Sequence, residues 1–256
     1  MDLTLTLLGT GTSHGVPAIG CRCPVCTSKD PKNQRFRCSL LLQYGERNIV
    51  IDTATEFRLQ VLRAGITRLD AVLLTHSHAD HIGGLDDVRS FSEMQKAAVP
   101  CYGSAECLDQ IRCRFDYIFT DTQIGGGKPR LSLIPSDGPF DLFGLEIVPV
   151  PVLHGRLPVL GFRFGPAAYV TDCSQIPEQS MEKLMGLDLL VLDALRWRSH
   201  PTHFNVEQAL DVVDRLRPRK TYFTHIAHDL DHSTTNTLLP PGVALAHDGL
   251  KISLSL

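Results

Sequence analysis

LLTHSHADHIGGL, from Leu73 to Leu85, puts three histidines and an aspartate within six positions: His76, His78, Asp80 and His81. A strand-like apolar run, AVLLT (71–75), leads directly into them. The end of a strand presents side chains from a rigid edge. On a loop, the order His-x-His-x-Asp-His points its donors to more than one side. His76 and His78 can then hold one ion while Asp80 and His81 face a neighbouring one. Two nearby histidines mean little by themselves, but this full pattern after a buried strand is specific for a metal site.

Two ions need more donors than one loop supplies, and three other apolar runs end in suitable residues. VPVPVLH ends in His154, AAYVTD in Asp172 and TYFTH in His225. Ligands at several strand ends suit a site built along one sheet edge. Asp172 is the natural bridge, because one carboxylate can give an oxygen to each ion. The rest of the chain reads as mixed α/β without a linker or repeat. LTLTLL alternates as a first strand, and SLLLQY with NIVID forms a hairpin around Gly45 and Glu46. TEFRLQVLRAG predicts a helix ending at Gly65, and GLDDVRSFSEMQKAA a second helix. VPCYG, LSLIP, LEIVPVPV, LDLLVLDAL, KTYFTH, VALAHD and LKISLSL read as strands, with LGFRFG and AAYVTD as a hairpin. VEQALDVVDRL is an amphipathic helix with Asn205 as N-cap. GGGK, 125–128, reads as a loop.

Composition sets bounds on function. The 256 residues can bury a sizeable core, and 43% apolar with 21% charged residues is ordinary for a soluble enzyme. A net charge of -3 gives no basic surface for nucleic acid, so nucleic-acid binding is not expected. No apolar run is long enough for a membrane span. The first residues, MDLTLTLLGTGTSHG, lack the pattern of a signal peptide, so a cytoplasmic location is expected. In a reducing compartment the eight cysteines point to metal rather than disulfides. CRCPVC places Cys21, Cys23 and Cys26 at the spacing of a zinc corner that lacks one ligand. Buried or redox cysteines are the other reading of that cluster.

These residues resemble the metallo-β-lactamase-fold hydrolases, which carry THSHADH followed in order by positions matching His154, Asp172 and His225. Within them the chain looks most like the PhnP-type phosphodiesterases, through LTLTLLGTGTSHGVPAIGCRCPVC, LLTHSHADH, HGRLPVLGF, VTD, HFNVEQAL and FTHIAHD. The resemblance implies an α/β fold, a four-layer αββα sandwich, as a single domain over 1–256. It implies that His76, His78, His154 and Asp172 hold one ion, and Asp80, His81, Asp172 and His225 the other. It supplies His228 as the fourth ligand of a structural zinc with Cys21, Cys23 and Cys26. That zinc would clamp the N-terminal loop, about 9–37, to the catalytic edge. Manganese or zinc is implied at the two-ion site. A homodimer is compatible with the resemblance, although no residue pattern points to one.

Two ions lower the pKa of a bridging water and neutralise charge building on the attacked centre. A phosphodiester, a thioester or a lactam suits this chemistry, and the leaving group separates them. An alkoxide benefits from a proton donor, worth roughly 10²- to 10⁴-fold. His203, just before the Asn205 N-cap, matches the residue proposed as general acid in PhnP-type enzymes. Arg156, two residues beyond His154, is a candidate for binding phosphate, with Arg196 and Arg198 as further candidates. The expected substrate is a small or cyclic phosphodiester, and the resemblance implies a 5-phosphoribosyl 1,2-cyclic phosphate of phosphonate breakdown. The alternatives are an RNA-processing nuclease, a thioester hydrolase and a non-catalytic metal-binding adaptor. tRNA 3′-end endonucleases carry a substrate arm between the third histidine and the bridging aspartate. Here His154 and Asp172 are only 18 positions apart, which leaves no room for one.

Overall fold

The computed structural model describes residues 2–121 and 127–255, so Gly125 and Gly126 of the GGGK stretch lie outside the described residues. The strands in the first half of the chain are β1 (Asp2–Gly9), β2 (Ser39–Tyr44), β3 (Arg47–Ile51), β4 (Ala71–Leu73), β5 (Val99–Gly103) and β6 (Leu131–Pro135). They are followed by β7 (Phe140–Leu142), β8 (Leu145–His154), β9 (Leu157–Phe164) and β10 (Ala167–Val170). The last are β11 (Leu189–Asp193), β12 (Lys220–Thr224), β13 (Val243–Leu245) and β14 (Lys251–Ser255). Two seven-stranded sheets result, ordered β14-β1-β2-β3-β4-β5-β6 and β13-β12-β11-β10-β9-β8-β7. Each is antiparallel in one half and parallel in the other. The parallel runs are β3 to β6 and β10 to β13. β14 returns to the first sheet and pairs antiparallel with β1, Asp2 opposite Ser255.

Helices cover both outer faces. They are α1 (Phe57–Ala64), α2 (Ala79–Ile82), α3 (Val88–Gln95), α4 (Ala105–Arg114), α5 (Asp116–Phe119), α6 (Glu178–Lys183), α7 (Val206–Leu216) and α8 (His232–Leu238). Period-two alternation in strands buried on both faces sends successive side chains into different layers. Leu5, Leu40, Ile49 and Leu73 meet Phe162, Phe164, Tyr169 and Val191 between the sheets. Val50, Val72 and Leu74 turn outward onto Phe57, Phe91 and Leu108 of α1, α3 and α4. Val170, Leu190 and Leu192 turn the other way, onto Met181, Val206, Ala209 and Val212 of α6 and α7. This is the four-layer αββα sandwich. No helix among the described residues is long and apolar enough to cross a membrane.

The expected helix from GLDDVRSFSEMQKAA is instead a 3-10 turn, Leu85–Asp87, followed by α3, which stops at Lys96 in the left-handed region (φ 54°). α4 had no counterpart in the sequence reading. Its residues AECLDQIRCR carry a weak apolar stripe, and its start depends on Ser104 accepting from the Cys107 amide at 3.2 Å. α7 fits its expectation fully: Asn205 and Gln208 form a reciprocal capping box.

The segment between β1 and β2 lies across the junction of the two sheets. Thr12 N donates to Ile226 O at 3.1 Å, and Ile226 N to Thr10 O at 2.9 Å. Arg35, 2% exposed, fastens it from beneath. Its Nη1 donates to Thr10 Oγ1 (2.8 Å) and to the Ala246 carbonyl (2.6 Å), and its Nη2 to Nδ1 of His232 (3.2 Å). Asp248 accepts from Thr10 Oγ1 at 2.8 Å and from Phe36 N at 2.7 Å. A buried guanidinium is tolerable only with such acceptors around it.

His232 accepts from Arg35 only while its Nδ1 carries no proton. Burial and the facing guanidinium together push its pKa from 6.5 down to about 4. Neutral His232 is therefore favoured in the folded state. Its contribution is present above pH 6.5 and is lost as pH falls towards 4. A His232→Gln variant keeps an acceptor for Arg35 without titrating. Urea midpoints measured between pH 7 and pH 4 should fall less steeply for the variant than for the wild type. Parallel profiles would remove His232 from the acid response.

Candidate active site and metal centre

β3, β4, β8, β10, β11 and β12 all end at the same edge, where the parallel halves of the two sheets meet. In open α/β sheets, ligands bind beyond the carboxyl ends of strands. Each of these strands delivers a donor there: Asp52 after β3, His76 after β4, His154 as the last residue of β8, Asp172 after β10, Asp193 as the last residue of β11, and His225 after β12. Asp52, Asp172 and His225 have φ of 62°, 53° and 59°. Non-glycine residues held in this region cost of order 1–3 kcal/mol each and concentrate at functional sites. The loop of His76 to His81 packs tightly against the one that follows β3. Gly84 N donates to Thr53 O at 2.9 Å, and a Cβ on Gly84 would lie 2.3 Å from Ala54 O.

The donors expected from the sequence come together. His76, His78 and His154 form one group, and Asp80, His81, Asp172 and His225 a second. Asp172 also groups with His154 and His203, so it stands between the two sets. The ring centroids of His76 and His81 are 4.3 Å apart.

Most of these rings are held through Nδ1. His81 Nδ1 donates to Asp52 Oδ2 at 2.7 Å, and His154 Nδ1 to the Thr202 carbonyl at 2.7 Å. His76 Nδ1 lies 3.0 Å from Thr75 Oγ1. Asp52 also accepts from Thr75 N (2.9 Å) and Thr75 Oγ1 (2.8 Å). Metal-binding histidines are oriented by such partners, which leave Nε2 as the donor to the ion. Nε2 of His76, His81 and His225 are buried without a hydrogen-bond partner among the described residues. Asp172 comes within 3.1 Å of His81 Nε2 and 3.3 Å of His225 Nε2, without hydrogen-bond alignment.

Charge points the same way. Burial opposes ionisation of Asp80 and Asp172, yet His225 and His81 hold both carboxylates well below their ordinary range. In return, against burial, Asp172 and the neighbouring carboxylates push His81 well up and His225 to about 9. His76 is pushed well down by burial and by His81. The group of Asp80, His81, Asp172 and His225 therefore calls for positive charge in its midst. Orphaned nitrogens and this carboxylate excess fit divalent cations held by nitrogen and oxygen donors.

Cys21, Cys23, Cys26 and His228 form a separate group. The three Sγ atoms lie 3.2, 3.4 and 3.4 Å from His228 Nδ1. Backbone amides aim at the sulfurs: Ala18 N at Cys26, Cys23 N at Cys21 and Cys26 N at Cys23, at 3.3–3.5 Å. The amide of Cys26 draws the Cys23 thiol down to about 6. All eight cysteines are free thiols. A closed Cys₃His set with amides facing its sulfurs fits zinc.

His203 sits at the rim of the first site. Its ring stacks on His225 at 4.5 Å and meets His154 edge-on at 4.5 Å. Its Nδ1 lies 3.0 Å from Asp193 Oδ2, and that same oxygen accepts from Cys173 N at 2.8 Å. Asp52 and Asp193 were not picked out in the sequence. Both close a strand-like run, NIVID and LLVLD, in the way Asp172 closes AAYVTD. Arg156 is exposed on the turn between β8 and β9, beside His154. A cleft of about 210 Å³ next to His203 is lined instead by Arg196, with His14 and His200.

Comparison with known proteins bears on the fold and the family. The model of the beta-lactamase superfamily domain matches residues 47–226, which include every candidate at the two-ion edge but neither the cysteines nor His228. An octanoyltransferase of Porphyromonas gingivalis is 41% identical over 251 residues, which are 96% of this chain and 50% of that protein. The chain thus spans half the length of that relative. Coenzyme PQQ synthesis protein B of Methylobacterium nodulans is 24% identical, over 73% of this chain and 71% of its own. Among solved structures, a diphosphatase from the PhnP family is 46% identical with a TM-score of 0.94, covering 99% of this chain and 98% of that one. The short form of human tRNase Z shares the fold, with a TM-score of 0.71 at 19% identity over 100% of both chains.

Asp52→Asn removes the carboxylate that orients His81. Affinity for ions at the two-ion edge should fall roughly 10- to 100-fold in a chelator competition. Unchanged affinity would mean that Asp52 does not set the His81 ring. A Cys21→Ser, Cys23→Ser double variant should lose about one zinc per chain by elemental analysis and melt at lower temperature. Full zinc content and wild-type melting would rule out a zinc site at the cysteines.

Proposed function

The chain belongs to the metallo-β-lactamase superfamily, and we propose that this metal-dependent hydrolase cleaves a small or cyclic phosphodiester, such as a 5-phosphoribosyl 1,2-cyclic phosphate. The observation that carries the reading is the Asp193–His203 pair at the rim of the two-ion edge. His76, His78, His154 and Asp172 would hold one divalent ion, and Asp80, His81, Asp172 and His225 a second. Manganese or zinc suits these donors, and zinc suits Cys21, Cys23, Cys26 and His228. Such ions, when bound, acidify water and offset charge on a phosphoryl group.

The protein's own part is positional. Asp52, Thr75 and the Thr202 carbonyl fix the faces of His81, His76 and His154. Asp193 accepts from Nδ1 of His203, which turns Nε2 towards a substrate; in the imidazolium form that nitrogen carries the second proton and can give it up. Hydrolysis of a diester adds the hydroxyl of water to phosphorus and breaks the bond to the leaving oxygen. His203 Nε2 supplies the proton that this oxygen needs. A thioester would leave this residue unused, because a thiolate departs without comparable help. An extended RNA-binding arm is absent between His154 and Asp172, where β9 and β10 join through a short turn at Gly165 and Pro166.

A second reading has support from the 46% identical diphosphatase: cleavage of a P–O–P linkage. Its leaving phosphate is the better leaving group, so it depends less on an acid. A panel of metal-loaded protein against bis-p-nitrophenyl phosphate, an alkyl diester, a diphosphate and a thioester separates these classes.

His203→Ala should keep the ions and lose roughly 10²-fold or more in kcat on an alkyl diester. On bis-p-nitrophenyl phosphate, whose phenolate leaves readily, the loss should be far smaller. Equal losses on both would make His203 a positioning residue. No loss on either would remove it from the reaction.

A further inference from the structure

Residues 17–29 carry the three clustered cysteines and little else to hold them down. Among the described residues, their backbone–backbone hydrogen bonds are all internal: Cys21 N donates to Ala18 O (3.0 Å), Thr27 N to Cys23 O (3.1 Å) and Ser28 N to Val25 O (3.2 Å). Their apolar packing is a small cluster of Val16, Val25 and Cys26, with Ala18, Cys21 and Cys23 against it. Ile19 stands fully in solvent. So little buried surface does not offset the entropy of ordering the loop. The body of the protein is reached through side chains. The three Sγ atoms gather on His228 Nδ1, and Ser28 Oγ accepts from Asn33 Nδ2 at 3.2 Å. The main hold on this loop is therefore the Cys₃His set and the zinc that fits it.

Within the set, two thiols are placed to react with each other. Cys23-Pro24-Val25-Cys26 has the spacing of thiol–disulfide centres. Both cysteines stand on one turn, closed by the bond from Thr27 to Cys23, and Cys26 N points at Cys23 Sγ from 3.4 Å. The four ligand atoms of the set lie within 4.8 Å of one another, so joining the two sulfurs asks for side-chain rotation rather than a new path for the loop. Cys23 is half-buried and open to small oxidants, whereas Cys26 is only 8% exposed. That is the division between an attacking and a resolving thiol. A thiol bound to zinc is held as thiolate, the form that attacks. Cys38, Cys101, Cys107 and Cys173 are buried away from oxidants, and Cys113 is exposed on α4.

We propose that Cys23 and Cys26 are a redox-active dithiol, whose oxidation by a hydroperoxide releases the zinc and frees residues 17–29. Cys23 Sγ attacks one peroxide oxygen and the O–O bond breaks. The other oxygen leaves as hydroxide or alkoxide, and Cys23 becomes a sulfenic acid. Cys26 Sγ then attacks the Cys23 sulfur, the S–S bond forms and hydroxide leaves. Each sulfur has lost one electron and the peroxide has gained two. The ion keeps only Cys21 and His228, too few donors to hold it. His228 also lines the cleft beside His203, so the oxidised form leaves one wall of that cleft without its ion. The proposal rests on zinc at the cysteine site, and the zinc content before oxidation judges that separately.

The test treats the full chain, with zinc at the cysteines and manganese at the two-ion edge, with hydrogen peroxide, and a colorimetric chelator reads the zinc set free. About one zinc per chain should appear. Trypsin cuts at Arg22 and Lys29, so Cys23 and Cys26 share one peptide and Cys21 lies in the one before it. After oxidation the Cys23–Lys29 peptide should be lighter by two hydrogens and take up no iodoacetamide. Native oxidised protein should be cut after Arg22 and Lys29 sooner than reduced protein, both residues being exposed. Dithiothreitol with added zinc should restore the zinc content and the slower cutting. Cys113→Ser should behave as wild type, which removes the exposed thiol as the source. Zinc that stays bound while both thiols remain open to alkylation would overturn the proposal. So would a disulfide joining Cys21 to Cys23, or a sulfinic acid that dithiothreitol does not reverse. A chain that holds no zinc before oxidation would overturn the zinc reading and with it the release, while the peptide mass still judges the dithiol.

Discussion

Nδ1 of His81 donates to Asp52 across 2.7 Å, with both side chains fully closed to water. The catalytic edge is built on bonds of this kind. A free imidazole can turn either nitrogen towards a neighbour. A bound one has its tautomer and plane fixed, and its other nitrogen points where the sandwich aims it. Thr75, Thr202 and Asp193 do the same for His76, His154 and His203. Asp52 can act only because the chain turns sharply after β3, at a φ of 62°. The packed layers on either side hold that turn in place.

The architecture was legible because both-face burial leaves a clear mark. Runs such as LLVL (189–192) and IVI (49–51) are apolar throughout, and VEQALDVVDRL repeats at the helical period with its cap in place. α4 and α8 were not legible, for a physical reason. Their sequences, AECLDQIRCR and HSTTNTL, show little amphipathic pattern, and their starts rest on single side-chain caps, Ser104 and Asp231. The helix expected before Lys96 was too long, since nothing in GLDD announces a 3-10 turn.

In the site, the linear His-x-His-x-Asp-His cluster could be seen at once, and the single donors could be found because each follows a strand. Asp52 and Asp193 obey the same rule but were passed over, since each bonds a histidine Nδ1 and neither follows a histidine-rich motif. His14 gave no signal, because its place beside Arg196 depends on how the N-terminal segment folds over the edge. The segment Thr224–His228 links the two candidate metal centres. His225 faces the two-ion edge and His228 faces the cysteines, and Thr12 pairs with Ile226 between them. The cysteine cluster is thereby tied to the wall of the cleft, which His228 also lines.

β1 and β14 pair with Asp2 opposite Ser255, and β1 runs from that point towards the active edge. The two ends of the described chain are therefore neighbours, at the far end of the strand from the chemistry. A short bridge could join them without bending the first sheet, and new ends could be opened in an outer turn. A circular permutant of this kind would carry the same ligands in a different chain order. The donor edge depends on which strands lie side by side, and not on the order in which the chain visits them.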